Sequence, residues 1–177
     1  MSNKVFIATS LDGYIADRDG KIDYLNTVPI PEGDDMGFGD FMNSVDAMVM
    51  GRTTLQTVLS FGVEWPYPKP VFVLSRSMTE VPDSVKGKVE IMSGSPAEIT
   101  ATLKEKGYED LYIDGGKVIQ DFLSVDMIDE MIINTIPILL GGGTPLFGEL
   151  PAHYTFDHIK TEVKAEHMVM SHYNRKR

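Results

Sequence analysis

Leu111-Tyr112-Ile113-Asp114-Gly115-Gly116-Lys117-Val118-Ile119 passes from a short apolar run, through a glycine pair, into helical spacing that continues at Phe122 and Leu123. A run of this length rich in β-formers reads as a buried strand, and apolar residues three and four apart read as one face of a helix. The same strand–turn–helix unit recurs upstream. Lys4–Ser10 is an apolar strand, and Ala47–Met50 is another, followed by Gly51-Arg52-Thr53-Thr54 and the helical set Leu55, Val58 and Leu59. Pro70–Ser75 is a third strand and Val89–Met92 a fourth. Ser95-Pro96-Ala97-Glu98 carries a helix start, with a serine cap, proline in the first turn and glutamate three residues after the cap, and Gly107 supplies its stop. Phe38, Phe41, Met42 and Val45 predict a helix over 34–45, with Asp34 or Asp35 as N-cap.

Downstream, Asp129–Ile136 reads as a strand, Pro137–Pro151 as a Gly/Pro-rich loop, and Phe156–Tyr173 as one or two final strands. Strands alternating with helices predict an α/β domain: a mainly parallel sheet covered by helices, with antiparallel strands at the C-terminal end. A chain of 177 residues suits one such domain over 1–177. Ligands in these sheets sit beyond the carboxyl ends of the strands. The expected site is therefore Ser10–Gly13, Gly51–Thr54, Ser75–Arg76 and Asp114–Lys117.

Composition narrows the chemistry. With no cysteine, disulfide frameworks, thiol nucleophiles and iron–sulfur ligation are excluded. Sixteen basic against 26 acidic residues, a net charge of −10, argue against nucleic acid, whose binding rests on lysine and arginine neutralising phosphates. Lys4 is followed by too short an apolar run for a signal peptide, and Met131–Leu140 is too short and interrupted for a membrane span. A cytoplasmic protein is the expectation. His153/His158 and His167/His172 are spaced five apart, opposite faces of a strand, so no metal site is expected. Asp12, Asp17, Asp19 and Asp23 lack the spacing and closing glutamate of a calcium loop and read as a solvated hairpin. No G-x-S-x-G elbow is present.

Against that acidic background, three of the expected strand ends place a cation beside glycine or a hydroxyl: Gly51-Arg52-Thr53, Ser75-Arg76 and Gly116-Lys117. Glycine admits close backbone approach, a helix N-terminus adds partial positive charge, and an arginine fork suits phosphate oxygens. Together they point to a polyphosphate ligand such as a dinucleotide; singly, each is equally a turn or a helix cap with a solvated cation. No G-x-G-x-x-G follows the first strand. Gly143–Gly148 has P-loop glycine spacing, but Glu149 stands where lysine is required.

Five motifs in this order carry a resemblance: Ala8-Thr9-Ser10-Leu11-Asp12-Gly13-Tyr14-Ile15-Ala16, Met50-Gly51-Arg52-Thr53-Thr54, Val73-Leu74-Ser75-Arg76, Tyr112-Ile113-Asp114-Gly115-Gly116, and Pro137 through Phe147. The set resembles the dihydrofolate-reductase-like superfamily, and within it stand-alone relatives of the C-terminal reductase domain of bacterial riboflavin-biosynthesis deaminase-reductases. The resemblance implies a three-layer α/β/α fold and an NADPH-dependent reductase acting on a small heterocycle: a pterin, a folate-like compound or a ribosylaminopyrimidine. A non-catalytic NADP(H)-binding protein or sensor is the alternative. By the same resemblance Ala8 and Ile15 flank the nicotinamide, and Gly51, Arg52, Thr53 and Thr54 hold phosphates. Leu74 belongs to the cofactor site, with Ser75 and Arg76 at the adenosine 2′-phosphate. Gly115, Gly116, Lys117, Val118 and Ile119 take the pyrophosphate and nicotinamide side.

A Gly–Gly bond at this point is cis in dihydrofolate reductases, whereas Asp114 here replaces a further glycine. The proton donor is expected at Asp35 or Asp12, each also readable as a cap or turn former. Phe38 and Trp65 are candidates for stacking on a flat ring as well as for core or rim packing. Relatives with ribityl-phosphate substrates need groups for that phosphate. The apolar loop Pro145-Leu146-Phe147 and eleven methionines allow an interaction role, and the resemblance implies a homodimer.

Overall fold

In the computed structural model, which describes residues 1–177, the alternation of each strand sorts its side chains into two layers. The strands are β1 (Ser2–Ser10), β2 (Tyr14–Ala16), β3 (Ala47–Gly51), β4 (Val71–Leu74), β5 (Val89–Met92), β6 (Asp110–Asp114), β7 (Glu130–Ile136), β8 (Thr144–Pro145), β9 (Thr155–Lys164) and β10 (Met168–Lys176). Eight of them form one sheet in the order β5-β4-β3-β6-β1-β7-β10-β9. Every pairing from β5 to β7 is parallel, and the β7–β10 and β10–β9 pairings are antiparallel. This is the mixed, mainly parallel α/β sheet that the strand–helix alternation predicts.

Four helices cover it: α1 (Phe38–Asn43), α2 (Arg52–Ser60), α3 (Pro96–Glu105) and α4 (Gly116–Ser124). On one face Val5, Ala47, Val49, Leu111 and Ile113 pack with Ile99 and Leu103 of α3 and Val118, Ile119 and Phe122 of α4. Phe122 is fully enclosed, and burying a side chain of this kind contributes roughly 1.5–3 kcal/mol. On the other face Met48, Met50, Val71, Val73 and Tyr112 meet Phe41 and Met42 of α1 and Leu55 of α2. Further along that face, Tyr24 and Val28, in and just after a 3-10 turn at Asp23–Thr27, cover Ile136, Met168 and Met170.

Local chemistry accounts for α3 most fully. Ser95 Oγ accepts from the Glu98 N–H at 3.3 Å, and Glu98 Oε2 accepts from the Ser95 N–H at 2.8 Å. Gly107 follows the helix at φ +91°. The first helix is shorter than its apolar spacing predicts, because Met36 and Gly37 take φ values of +56° and +82° and delay it to Phe38. Asp35 still serves its entry, accepting from the Gly37 and Gly39 N–H groups at 2.9 and 2.8 Å.

The Gly/Pro-rich stretch also departs from a pure loop. Thr144 and Pro145 pair antiparallel with Ala16 and Tyr14, so the acidic N-terminal segment, which closes its own turn through Asp17 and Lys21, is also tied across the chain. A Cβ at Gly143 would lie 2.1 Å from Ala16 O. Gly143 thus admits the backbone of β2, and Gly142 the Arg18 guanidinium. No helix is long and apolar enough to cross a membrane.

Candidate active site

A cavity of about 1350 Å³ opens along the carboxyl ends of the parallel strands. Pockets for drug-sized ligands usually hold about 300–1,000 Å³, so there is room for more than one small molecule. Its two halves differ in chemistry because different elements build them.

The first half lies over β4, β3 and β6. Here α2 begins at Arg52 and α4 at Gly116, and neither helix has a side chain capping its N-terminus, in contrast to α3. Uncapped first-turn N–H groups retain hydrogen-bonding capacity and carry the positive end of the helix dipole. Arg52 Nη1 donates to Ser77 Oγ at 2.7 Å. Ser75 Oγ accepts from the Met78 N–H at 3.0 Å, which leaves its own O–H to donate. Arg76 is exposed at the rim, and Lys117 pairs with Asp121 one turn along α4.

The approach of α2 to the β6–α4 turn explains the glycines between them. A Cβ at Gly115 would meet Thr54 Oγ1 at 2.4 Å, and Gly115 sits at φ +90°. A Cβ at Gly116 would lie 2.8 Å from Ile15 Cδ1. The Gly115–Gly116 bond is trans.

The second half is largely apolar. Phe6, Ala8, Ile22, Tyr24, Leu25, Val28, Ile30, Met36, Phe38, Ile136 and Met168 line it, with Asp35 and Asn134 among its polar side chains, and Asp114, at the end of β6, lies where the two halves meet. Tyr24 closes one wall by donating to Ala8 O at 3.1 Å, and burial pushes its hydroxyl up to about 12. Asp114 ends β6. Burial pushes its carboxyl up to about 6, against the pull of the Gly115 N–H at 2.8 Å and of the Tyr112 hydroxyl. Tyr112 and Tyr67 are in turn raised by burial and by the Asp114 charge.

Of the residues singled out from sequence, Ala8, Ile15, Gly51, Arg52, Thr53, Thr54, Leu74, Ser75, Arg76, Gly115, Gly116, Lys117, Val118 and Asp35 line this cavity. Two do not. Ile119 points into the α4 side of the core and is fully buried. Asp12 lies outside the cavity, where its carboxylate accepts from Ser10 Oγ at 2.6 Å and from the Leu140 and Gly141 N–H groups at 3.1 and 2.8 Å. The Ser10 bond, with those two N–H groups, lowers its pKa, so it holds the glycine loop as a carboxylate. The whole Ser10–Gly13 segment, expected at the site, lies outside the cavity with it, since β1 continues to pair with β7 as far as Ser10↔Ile136 and the chain then turns into β2.

Phe38 reaches the cavity and lies edge-on to Phe6, with centroids 5.6 Å apart, while Trp65 sits against Tyr67 outside it. Asp114 falls within the expected strand end Asp114–Lys117 and lines the cavity, whereas Asn134, a single asparagine within an apolar strand, carries no local signal.

The chain aligns over its whole length with a crystal structure from Shewanella sp. PV-4 of a protein provisionally assigned to riboflavin biosynthesis, at 56% identity, full coverage of both chains and a TM-score of 0.97. It also superposes on a Thermotoga maritima diaminohydroxyphosphoribosylaminopyrimidine deaminase/5-amino-6-(5-phosphoribosylamino)uracil reductase. There the identity is 16% and the TM-score 0.76, with 99% of this chain and 56% of that one covered. Dihydrofolate reductase from Enterococcus faecalis, solved in complex with NADP(H) and RAB-propyl, matches at 20% identity and a TM-score of 0.68, covering 99% and 97%. These last two establish the dihydrofolate-reductase-like fold. The RibD C-terminal domain model matches residues 4–170, and the chain belongs to that family.

Proposed function

We propose that this protein is an NADPH-dependent reductase that transfers a hydride to a small heterocycle. The observation that carries the reading is the convergence of two uncapped helix N-termini with Arg52, Ser75, Arg76 and Ser77 at one end of the cavity. Such a set suits the phosphates of a dinucleotide, and the residues present fit that group. The first-turn N–H groups of α2 and α4 would hold the pyrophosphate. Ser75 and Arg76 would hold the 2′-phosphate. Ala8, Ile15 and Val118 would border the nicotinamide end.

When bound, the reduced nicotinamide supplies the hydride. The protein orients the ligands and excludes water with its apolar wall. It also supplies a proton, for which Asp114, facing the cavity with a raised pKa, is better placed than Asp12. Asp35 at the rim is a second carboxyl within the lining, and Asp121, a third, is paired with Lys117. The reading extends to a cytoplasmic homodimer, for which exposed Leu139 and Phe147 offer an apolar surface.

Titration of NADPH and NADH by cofactor fluorescence tests the assignment. Arg76→Ala is expected to weaken NADPH by about tenfold or more, the scale of one charge-assisted contact, and to leave NADH nearly unchanged. Equal loss of both would remove the 2′-phosphate role. NADPH binding with no oxidation across folates, pterins and ribosylaminouracils would leave an NADP(H)-binding protein without turnover.

A further inference from the structure

A second cavity, of about 670 Å³, opens at the amino ends of β4 and β5, away from the carboxyl ends where the reaction cavity lies. Its walls come from the connection between α2 and β4, from the turn before β5, and from Tyr108 beyond the end of α3. In that connection Pro66, Pro68 and Pro70 alternate with Trp65, Tyr67 and Lys69. Each proline fixes its own φ, so the wall is largely preformed. Two edge-to-face aromatic pairs stand in the lining, one from each layer of the fold. Trp65 and Tyr67, with centroids 5.2 Å apart, pack with the α1 and α2 layer. Phe72 and Tyr108, 5.6 Å apart, pack with the α3 and α4 layer.

The charge here runs against that of the chain, whose net is −10. Lys69, Lys88 and Glu90 are the charged residues of the lining. Glu90 pairs with Lys106, whereas Lys69, half-buried, and Lys88, exposed, pair with no carboxylate. The Asp46 carboxylate, which feels Lys69 from a distance, accepts instead from the Glu109 and Asp110 N–H groups at 2.9 and 3.0 Å. Aromatic side chains beside unpaired ammoniums suit a ring that carries a negative charge. The lining has no arginine and no helix N-terminus, the groups that fit the several oxygens of a phosphate. A single carboxylate is the better match. Tyr67 is the only residue that lines both cavities, so they are separate sites with one shared wall.

We propose that this cavity is a second binding site, for a planar aromatic carboxylate whose ring packs against Trp65, Tyr67 and Tyr108 and whose charge meets Lys69 and Lys88. It lies outside the reductase site and depends on neither the cofactor nor the reaction.

The full-length protein is titrated calorimetrically with 2-naphthoate and with its neutral amide, 2-naphthamide, each with and without saturating NADPH. The carboxylate is expected to bind about tenfold more tightly than the amide, the scale of one charge-assisted contact, and equally well with NADPH present. Replacing both lysines, Lys69→Gln with Lys88→Gln, is expected to remove that tenfold advantage while leaving Tm and NADPH affinity as in the parent. Arg76→Ala is expected to leave 2-naphthoate affinity unchanged. Equal affinity for carboxylate and amide, displacement by NADPH, unchanged affinity in the lysine variant, a loss in Arg76→Ala, or no binding of 2-naphthoate to the parent would each overturn the proposal. Failure of NADPH alone to bind would instead overturn the cofactor assignment and leave this site standing.

Discussion

Replacing Asp114 by asparagine separates its charge from its shape. The carboxamide keeps an oxygen to accept from the Gly115 N–H, now at 2.8 Å, and cannot ionise. In the folded protein the carboxyl titrates at about 6 against an ordinary value of 3.8. A folded-state pKa raised in this way favours the native state fully below the unfolded value, and that contribution is lost as pH rises through about 6. At 1.36 kcal/mol per pKa unit, a difference of roughly 2 units corresponds to about 3 kcal/mol. The gap in unfolding free energy between Asp114→Asn and the parent should therefore be small below pH 4 and grow to about 3 kcal/mol in favour of the variant by pH 7–8. Urea unfolding of both proteins across pH 4–8 measures it directly, and titrations common to both cancel. If Asp114 also donates the proton, kcat/KM of the parent falls as pH rises above about 6, and the more stable variant is the slower enzyme. A stability gap that does not change with pH would refute the buried-carboxyl argument, and with it the reason for preferring Asp114 as the donor.

Two further outcomes are expected beside the Arg76 test. Gly115→Ala places a Cβ 2.4 Å from Thr54 Oγ1 at φ +90°. Backbone strain alone should cost about 1–3 kcal/mol, seen as a Tm several degrees lower; adding Thr54→Ala should recover only the contact part, and a pair that melts like the parent would contradict the φ argument. Light scattering is expected to give twice the 19.7 kDa chain mass, and a monomer at high protein concentration would remove the dimer.

The capping box at Ser95 and Glu98, the left-handed Gly107, the apolar strand runs and the cation-bearing strand ends were all legible in sequence, because each is a local rule acting over a few residues. The same locality explains the misplacements. Asp12 has the composition of a site residue, yet its carboxylate is taken by the Leu140 and Gly141 N–H groups, more than a hundred residues away. The first helix starts late because Met36 and Gly37 adopt positive φ, and apolar spacing does not report that. By itself, then, the sequence determined the layered α/β architecture and the polar half of the cavity, whose residues follow directly on their own strands. Only the tertiary structure decided the other half. Asp114, which its strand end had already marked, and Asn134, which nothing in its local sequence marks, face one cavity because β1 inserts between β6 and β7, a long-range pairing that no local rule reports.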